Sequence, residues 1–378
     1  MAHAAACAAA GAIGALGCGP AKPAAPPIRF LHTFGPEETE LLNAVVAERR
    51  LAVEPMVVPF ARGQQVIHDA VRAGADCPDA IRIDATWLPG LVAAGLLREV
   101  PPALAALDWL PEAAPLGQLD GRWWGVPQTV DGLVVLRPLT TPAPASPSLD
   151  DLVAAARAAR ARGLRAPLSV RVDGYWFVPW LRAEGGELAP AGIAGDGAVR
   201  ALGRFAALFG ELAPPPPAAG GEAPDEVRRW RTGEVAYWIT GPWQLSGLAD
   251  RSQVEVSPLA HAPRGGQLLV VPRCARRPDD GWRLAAELTS PAVEARFARA
   301  FAGIPTRRAA LADAPELSRA VIAALRDTAL LPRDVATPLL FDDLNPTLAA
   351  VVARDATAEE AIGGLRRAWQ RLAAPRTP

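Results

Sequence analysis

Two indoles, one amide and, past the Asp120 turn, one carboxylate stand close together in residues 119–137, LDGRWWGVPQTVDGLVVLR. Such a set suits the capture of a small molecule, because Trp123 and Trp124 offer flat apolar faces while Gln128 and Asp131 orient the hydrogen-bonding groups of whatever stacks there. A half-buried hairpin carries the same pattern. Asp120-Gly121 signals a tight turn, Pro127 fixes a backbone dihedral, and Leu133 to Leu136 is a β-prone apolar run too short for a buried helix.

The whole chain narrows the chemistry further. With 378 residues it exceeds the size at which single cores stop growing, so two lobes are expected. A formal net charge of -1 and a hydrophobic share of 50% exclude the electrostatic footprint of a nucleic-acid binder and the composition of a disordered chain, and point to a small, uncharged partner. Lys22 alone among the 39 basic residues is a lysine, which excludes a Walker phosphate loop and a lysine Schiff base inside the fold. His3, His32, His68 and His261 lack metal-ligand spacing, no Gly-x-Ser-x-Gly elbow occurs, and neither a metal nor a cofactor is expected.

Ala4 to Gly17 is an apolar run too short to span a bilayer, closed by Ala15-Leu16-Gly17 ahead of Cys18. It reads as an export signal, and the cysteine placed after it resembles the lipobox of bacterial lipoproteins. Ala15 stands where the lipobox usually has Leu, and no Lys or Arg precedes the run; an uncleaved Ala-rich tail is the other reading. Residues 1–27 are thus expected to comprise a signal peptide and, from Gly19, a Pro-rich lipoprotein tether.

Strands and helices alternate from Ile28. Ile28 to His32, Val53 to Val58 and Ala80 to Asp84 are predicted strands, and Thr39 to Arg50 and Leu88 to Leu97 predicted helices. That alternation argues a parallel sheet covered on both faces, with ligands gathering at the carboxyl ends of strands, where Phe34, Arg62, Asp84 and Trp87 fall. Ser148-Leu149-Asp150-Asp151 is a capped helix start. Further on, Val235 to Ile239 and Leu268 to Val271 are predicted strands, and Pro315 to Leu325 and Ala358 to Leu372 the last helices.

Four stretches then agree, in order, with one known family. Pro78-Asp79-Ala80-Ile81 leading to Asp84 and Trp87, Gly125-Val126-Pro127 through Asp131-Gly132-Leu133, Gly233-Glu234-Val235-Ala236 leading to Gly241-Pro242-Trp243, and Thr289-Ser290-Pro291 followed by Gly303-Ile304-Pro305-Thr306-Arg307 resemble the sugar-binding proteins of bacterial ABC importers, the extracellular solute-binding family related to maltose-binding protein. The chain departs from that pattern at Val134 to Arg137, where the family usually ends in Tyr-Tyr-Asn, and in a short Pro258 to Gly266 segment.

The resemblance implies an α/β, two-lobed, type II periplasmic-binding-protein fold with the ligand cleft between its lobes. It divides the chain into an N-terminal lobe of residues 28–136 and 256–305 and a C-terminal lobe of residues 137–255 and 306–378. It implies a monomeric carrier that hands a carbohydrate to ABC transporter permease subunits, exported and held at the membrane by the Cys18 lipid, with no nucleic-acid partner. Asp84, Asp131, Gln128, Arg62 and Arg307 would supply polar contacts, and Phe34, Trp87, Tyr175, Trp176, Trp238 and Trp243 ring faces. Trp123, Trp180 and Trp282 are expected in the core. The resembling fold also brings Cys77 and Cys274 to neighbouring strand ends, where an oxidising compartment permits a disulfide or leaves two separate thiols. A secreted glycoside hydrolase with paired carboxylates is the rival reading, and an inert surface adhesin a third.

Overall fold

A computed structural model describes residues 26–216, 225–248 and 250–373. Cys18 and the expected signal and tether up to residue 25 lie outside the described residues. Twelve strands are present among the described residues: β1 (Ile28–His32), β2 (Val53–Val57), β3 (Ala80–Asp84), β4 (Gln118–Leu119), β5 (Arg122–Trp123), β6 (Val126–Gly132), β7 (Val134–Pro138), β8 (Leu168–Ser169), β9 (Tyr237–Thr240), β10 (Val254–Ser257), β11 (Pro263–Val270) and β12 (Ala329–Leu330).

Two sheets divide the work. The first runs β12-β11-β3-β1-β2 with β6 added on β11, and the second runs β10-β7-β9-β8. β1 pairs in parallel with β2 and β3, whereas β11 returns antiparallel to both β3 and β6. β4 and β5 form the separate hairpin expected at Asp120-Gly121, both of which take positive φ (51° and 74°) as that tight turn requires.

The chain passes from the first sheet to the second through Leu133 alone, between β6 and β7. The crossing is that tight because Gly132 has no side chain: a Cβ there would stand 2.6 Å from Leu325 Cδ2 and 2.8 Å from the Pro263 carbonyl oxygen. The strands shift the expected lobe boundaries accordingly. Residues 134–136 already belong to the second sheet, β10 straddles the expected return at 256, and β12, expected in the C-terminal lobe, pairs with β11 in the first sheet.

One long helix, Thr337–Val352, lies between the two last predicted helices and carries Pro346 inside it. Leu340, Leu344, Leu348 and Val351 nevertheless form one buried stripe, and packing against the helices Gly174–Ala183 and Gly197–Ala206 holds the element together. Cys77, just before β3, is bonded to Cys274, just beyond β11, with their Cα atoms 5.9 Å apart. The antiparallel pairing of β3 with β11 brings those two ends together.

Among the described residues no helix is long and apolar enough to cross a membrane.

Candidate functional site

Asp84 closes β3 and caps the turn that follows, its Oδ1 accepting from the Thr86 backbone N–H at 2.8 Å and from the Thr86 hydroxyl. Its Oδ2 accepts from Gln267 Nε2 at 2.9 Å. Three of the four acceptor positions of this carboxylate are therefore engaged, and one on Oδ2 is left for a ligand. Burial pushes its pKa up, opposed by the bonds from Thr86 and Gln267.

Asp131, near the end of β6, stands beside it on the same face. Burial, reinforced by the Asp84 charge, raises its pKa to about 7, with the Arg82 guanidinium and the Gln267 amide pulling the other way. Gly265 makes room for it, since a Cβ at that position would lie 2.8 Å from Asp131 Oδ1 and 3.5 Å from the Tyr175 hydroxyl. Tyr175 reaches this point from the helix Gly174–Ala183 of the other sheet's layer and donates to the Pro263 carbonyl at 3.2 Å. Burial and the nearby Asp131 hold its phenol well above the ordinary value.

Three rings make the wall on that side. Trp243 lies 6.4 Å from Tyr175 and 5.9 Å from Trp176, edge-on to the latter, and remains 40% exposed. Its ring folds back over Gly241, where a Cβ would meet it at 2.1 Å. Trp176 is almost wholly buried and ties its indole N–H to the Ile239 carbonyl at 2.7 Å. Trp243 is thus the ring left to meet a ligand, with Trp176 as its support.

Several expected contacts lie elsewhere. Gln128 is buried and its side-chain oxygen accepts from Arg82 Nε at 2.9 Å, so it orients a guanidinium instead of facing the cleft. Phe34 is packed under that same guanidinium, 4.2 Å away, and stacked on Phe297, which leaves no free face. Trp238 is wholly buried against Trp230, on the opposite face of its strand from Tyr237 and Ile239 and in the apolar cluster that also holds Leu136 and Leu245. Arg307 pairs with Asp108 and lies over Trp109, serving the return crossing. Arg62 stands exposed on the first turn of the helix Phe60–Ala73. Trp87 is only 8% exposed: Gly63 lets its ring nestle against that helix, and Phe60 covers it from 5.4 Å. Trp180 and Trp282 are buried, and Trp123 is half-buried against Trp109.

Two residues central to the site escaped the sequence reading. Arg82 is buried in β3 and also donates to the Thr33 hydroxyl at 2.9 Å. A charge in the middle of Ala80 to Asp84 was the available signal, since a buried guanidinium demands partners. Gln267 escaped because β11 extends further back, to Pro263, than the apolar run Leu268 to Val271 suggests.

Two α/β layers joined by short crossings, with carboxylates from one and rings from the other converging at the junction, define a two-lobed binding protein. The model of the bacterial extracellular solute-binding proteins matches residues 52–324, and the chain belongs to that family. The family is one of solute binders and not of enzymes. Three solved structures share the fold at low identity. The GacH receptor of Streptomyces glaucescens, solved unliganded and with acarbose, superposes with a TM-score of 0.79 at 23% identity over 92% of this chain and 98% of its own. The maltose-bound MalE3 of T. maritima gives 0.79 at 20% over 92% and 100%, and an ABC transporter solute-binding protein of Thermotoga lettingae with α-D-tagatose gives 0.77 at 20% over 93% and 100%. No curated protein sequence matches the chain.

Proposed function

We propose that this protein is the substrate-binding component of an ABC importer, capturing a mono-, di- or short oligosaccharide between its lobes and delivering it to membrane permease subunits. The observation that carries the reading is the convergence of Asp84 and Asp131 with the exposed Trp243 and the Tyr175 hydroxyl. Carboxylates accept hydroxyl bonds in a charge-assisted way, and an indole face matches the C–H face of a pyranose. The acarbose, maltose and tagatose carried by proteins of the same fold support it. The ligand set proposed is Asp84, Asp131, Tyr175, Trp243 and the Phe60–Trp87 pair, with Gln267, Arg82, Gln128 and Trp176 holding them in place.

An exported carrier lipidated at Cys18 and acting as a monomer completes the proposal, supported by the apolar run before that cysteine and by the extracellular family. Calorimetry against a panel of mono- and disaccharides tests capture, with product analysis on the same samples to expose hydrolysis. Binding without turnover is the expected result; cleavage of any sugar refutes the carrier reading. Intact mass from membrane fractions tests the anchor, and a mature chain that begins elsewhere without acyl mass refutes it.

A further inference from the structure

The floor of the site consists of acceptors. Gln267 is 6% exposed and its Oε1 has no hydrogen-bond partner among the described residues. The amide cannot be turned round to cure this, because Nε2 is committed to Asp84 Oδ2 and an oxygen there would face a carboxylate. Beside it, Asp131 accepts no hydrogen bond from the described residues within 3.5 Å and feels the Gln267 amide only weakly, while Asp84 already accepts three. The Tyr175 hydroxyl donates to the Pro263 carbonyl at 3.2 Å and makes no hydrogen bond to Asp131.

Two neighbouring cations temper the repulsion from a distance but bond neither carboxylate. Arg82 directs Nε to Gln128 and Nη1 to Thr33 and makes no hydrogen bond to Asp84 or Asp131. Arg333, whose charge Asp84 also feels, donates to the carbonyls of Pro115, Leu116 and Gln118. A buried acceptor left without a donor, as Gln267 Oε1 is, is costly, and two half-buried carboxylates held side by side repel. A hydroxyl brings one proton and no charge. An ammonium brings three donors and a positive charge, which matches both deficits, and the faces of Tyr175 and Trp243 beside it suit a cation.

We infer that the ligand is a sugar bearing a protonated amine, seated with its N–H groups on Asp131 and Gln267 Oε1 and its ring against Trp243. The inference rests on the carbohydrate reading of this site and narrows it, departing from the uncharged partner to which composition points. Asp131 is then the specificity-determining residue, and Asp84 the group that holds Gln267 with its oxygen free.

Size-matched ligands test it by calorimetry at pH 7.5: glucose against its 2-, 3- and 6-amino-deoxy analogues and N-acetylglucosamine, and cellobiose against the β-1,4 dimer of glucosamine. At least one amine is expected to bind about tenfold more tightly than its hydroxyl counterpart, the difference between a charged and a neutral hydrogen bond. Asp131→Asn, nearly isosteric and freed of the repulsion, is expected to fold and to bring that ratio to about one. If every neutral or acetylated sugar binds as tightly as its amine, or if the preference survives in Asp131→Asn, the inference is overturned and sugar capture stands. If none of these saccharides nor the wider neutral panel binds, both fall.

Discussion

Gln267 and Asp84 are direct cross-strand partners in the antiparallel pairing of β11 with β3, and the amide of one bonds the carboxylate of the other at 2.9 Å across 183 residues of sequence. The carboxylate is held by the sheet itself. Sites built on paired strands in this way are positioned more accurately than sites on loops.

Loss of the free carboxylate is the most direct challenge to the site. Asp131→Ala should weaken sugar binding by about 1.5–3 kcal/mol, roughly ten- to a hundredfold in affinity. Trp243→Ala should weaken it too, through lost stacking area, with little change in Tm, because that ring is 40% exposed. Trp238→Ala, by contrast, removes a fully buried indole and should cost about 3–5 kcal/mol of stability. Tryptophan fluorescence titration and thermal melts on the three variants separate these effects. Wild-type affinity in folded Asp131→Ala and Trp243→Ala together would place the cleft elsewhere.

Glu294 makes a second, purely structural prediction. It is 3% exposed on the helix Pro291–Phe301, its Oε2 accepts from the backbone N–H groups of Thr306 and Arg307 at 3.0 Å, and its Oε1 meets the Thr306 hydroxyl. That hydroxyl has one proton, and the Pro127 carbonyl at 2.9 Å can take it. Burial raises the Glu294 pKa to about 8, so at neutral pH the acid supplies the missing donor to Thr306. Glu294→Gln keeps every one of these bonds and should leave Tm unchanged or raised. Glu294→Ala strands buried partners and should cost about 1–3 kcal/mol.

The same pKa shifts set the pH response of the free protein. Asp131 and Glu294 are raised to about 7 and about 8 from ordinary values of 3.8 and 4.5, so the stability they contribute is complete below about pH 4 and lost as pH rises through 7 to 8. Burial, helped by the Arg82 charge, lowers His32 from 6.5 to about 4, and its contribution is complete above 6.5 and lost as pH falls through 4. Melts should therefore show Tm rising as pH is lowered from 8 to 6.5, and Asp131→Asn should flatten that limb. Sugar affinity should run the opposite way, falling as pH drops below about 7, because the ligand bonds the ionised Asp131.

Reduction of the Cys77–Cys274 bond opens a link between segments 197 residues apart. Disulfides typically contribute about 2–4 kcal/mol, and a loop this long lies at or above the top of that range, so Cys274→Ser or added reductant should lower Tm by several degrees without altering the sugar preference. An unchanged Tm would mean that the β3–β11 pairing needs no fastening.

Local signals carried much of this protein. The alternation of apolar runs and helix starts from Ile28 to Leu97 specified the parallel core of the first sheet, Asp120-Gly121 its hairpin, and the position of Asp84 at a strand end its place in the site, because each depends on residues near in sequence. What needed the folded chain is which faces remain open. Trp238 and Trp243 are five residues apart and look alike in the sequence, yet one is sealed in a core and the other faces solvent, since strand register and the turn at Gly241 decide their directions. Gln128 looked like a ligand contact until Arg82, 46 residues away, took its oxygen. Gln267 was invisible as a partner of Asp84 because only the antiparallel return of β11 sets them side by side. Periodicity reports which side of an element is apolar, whereas exposure and hydrogen-bond partnership are properties of pairs brought together by tertiary packing, and no local pattern encodes them.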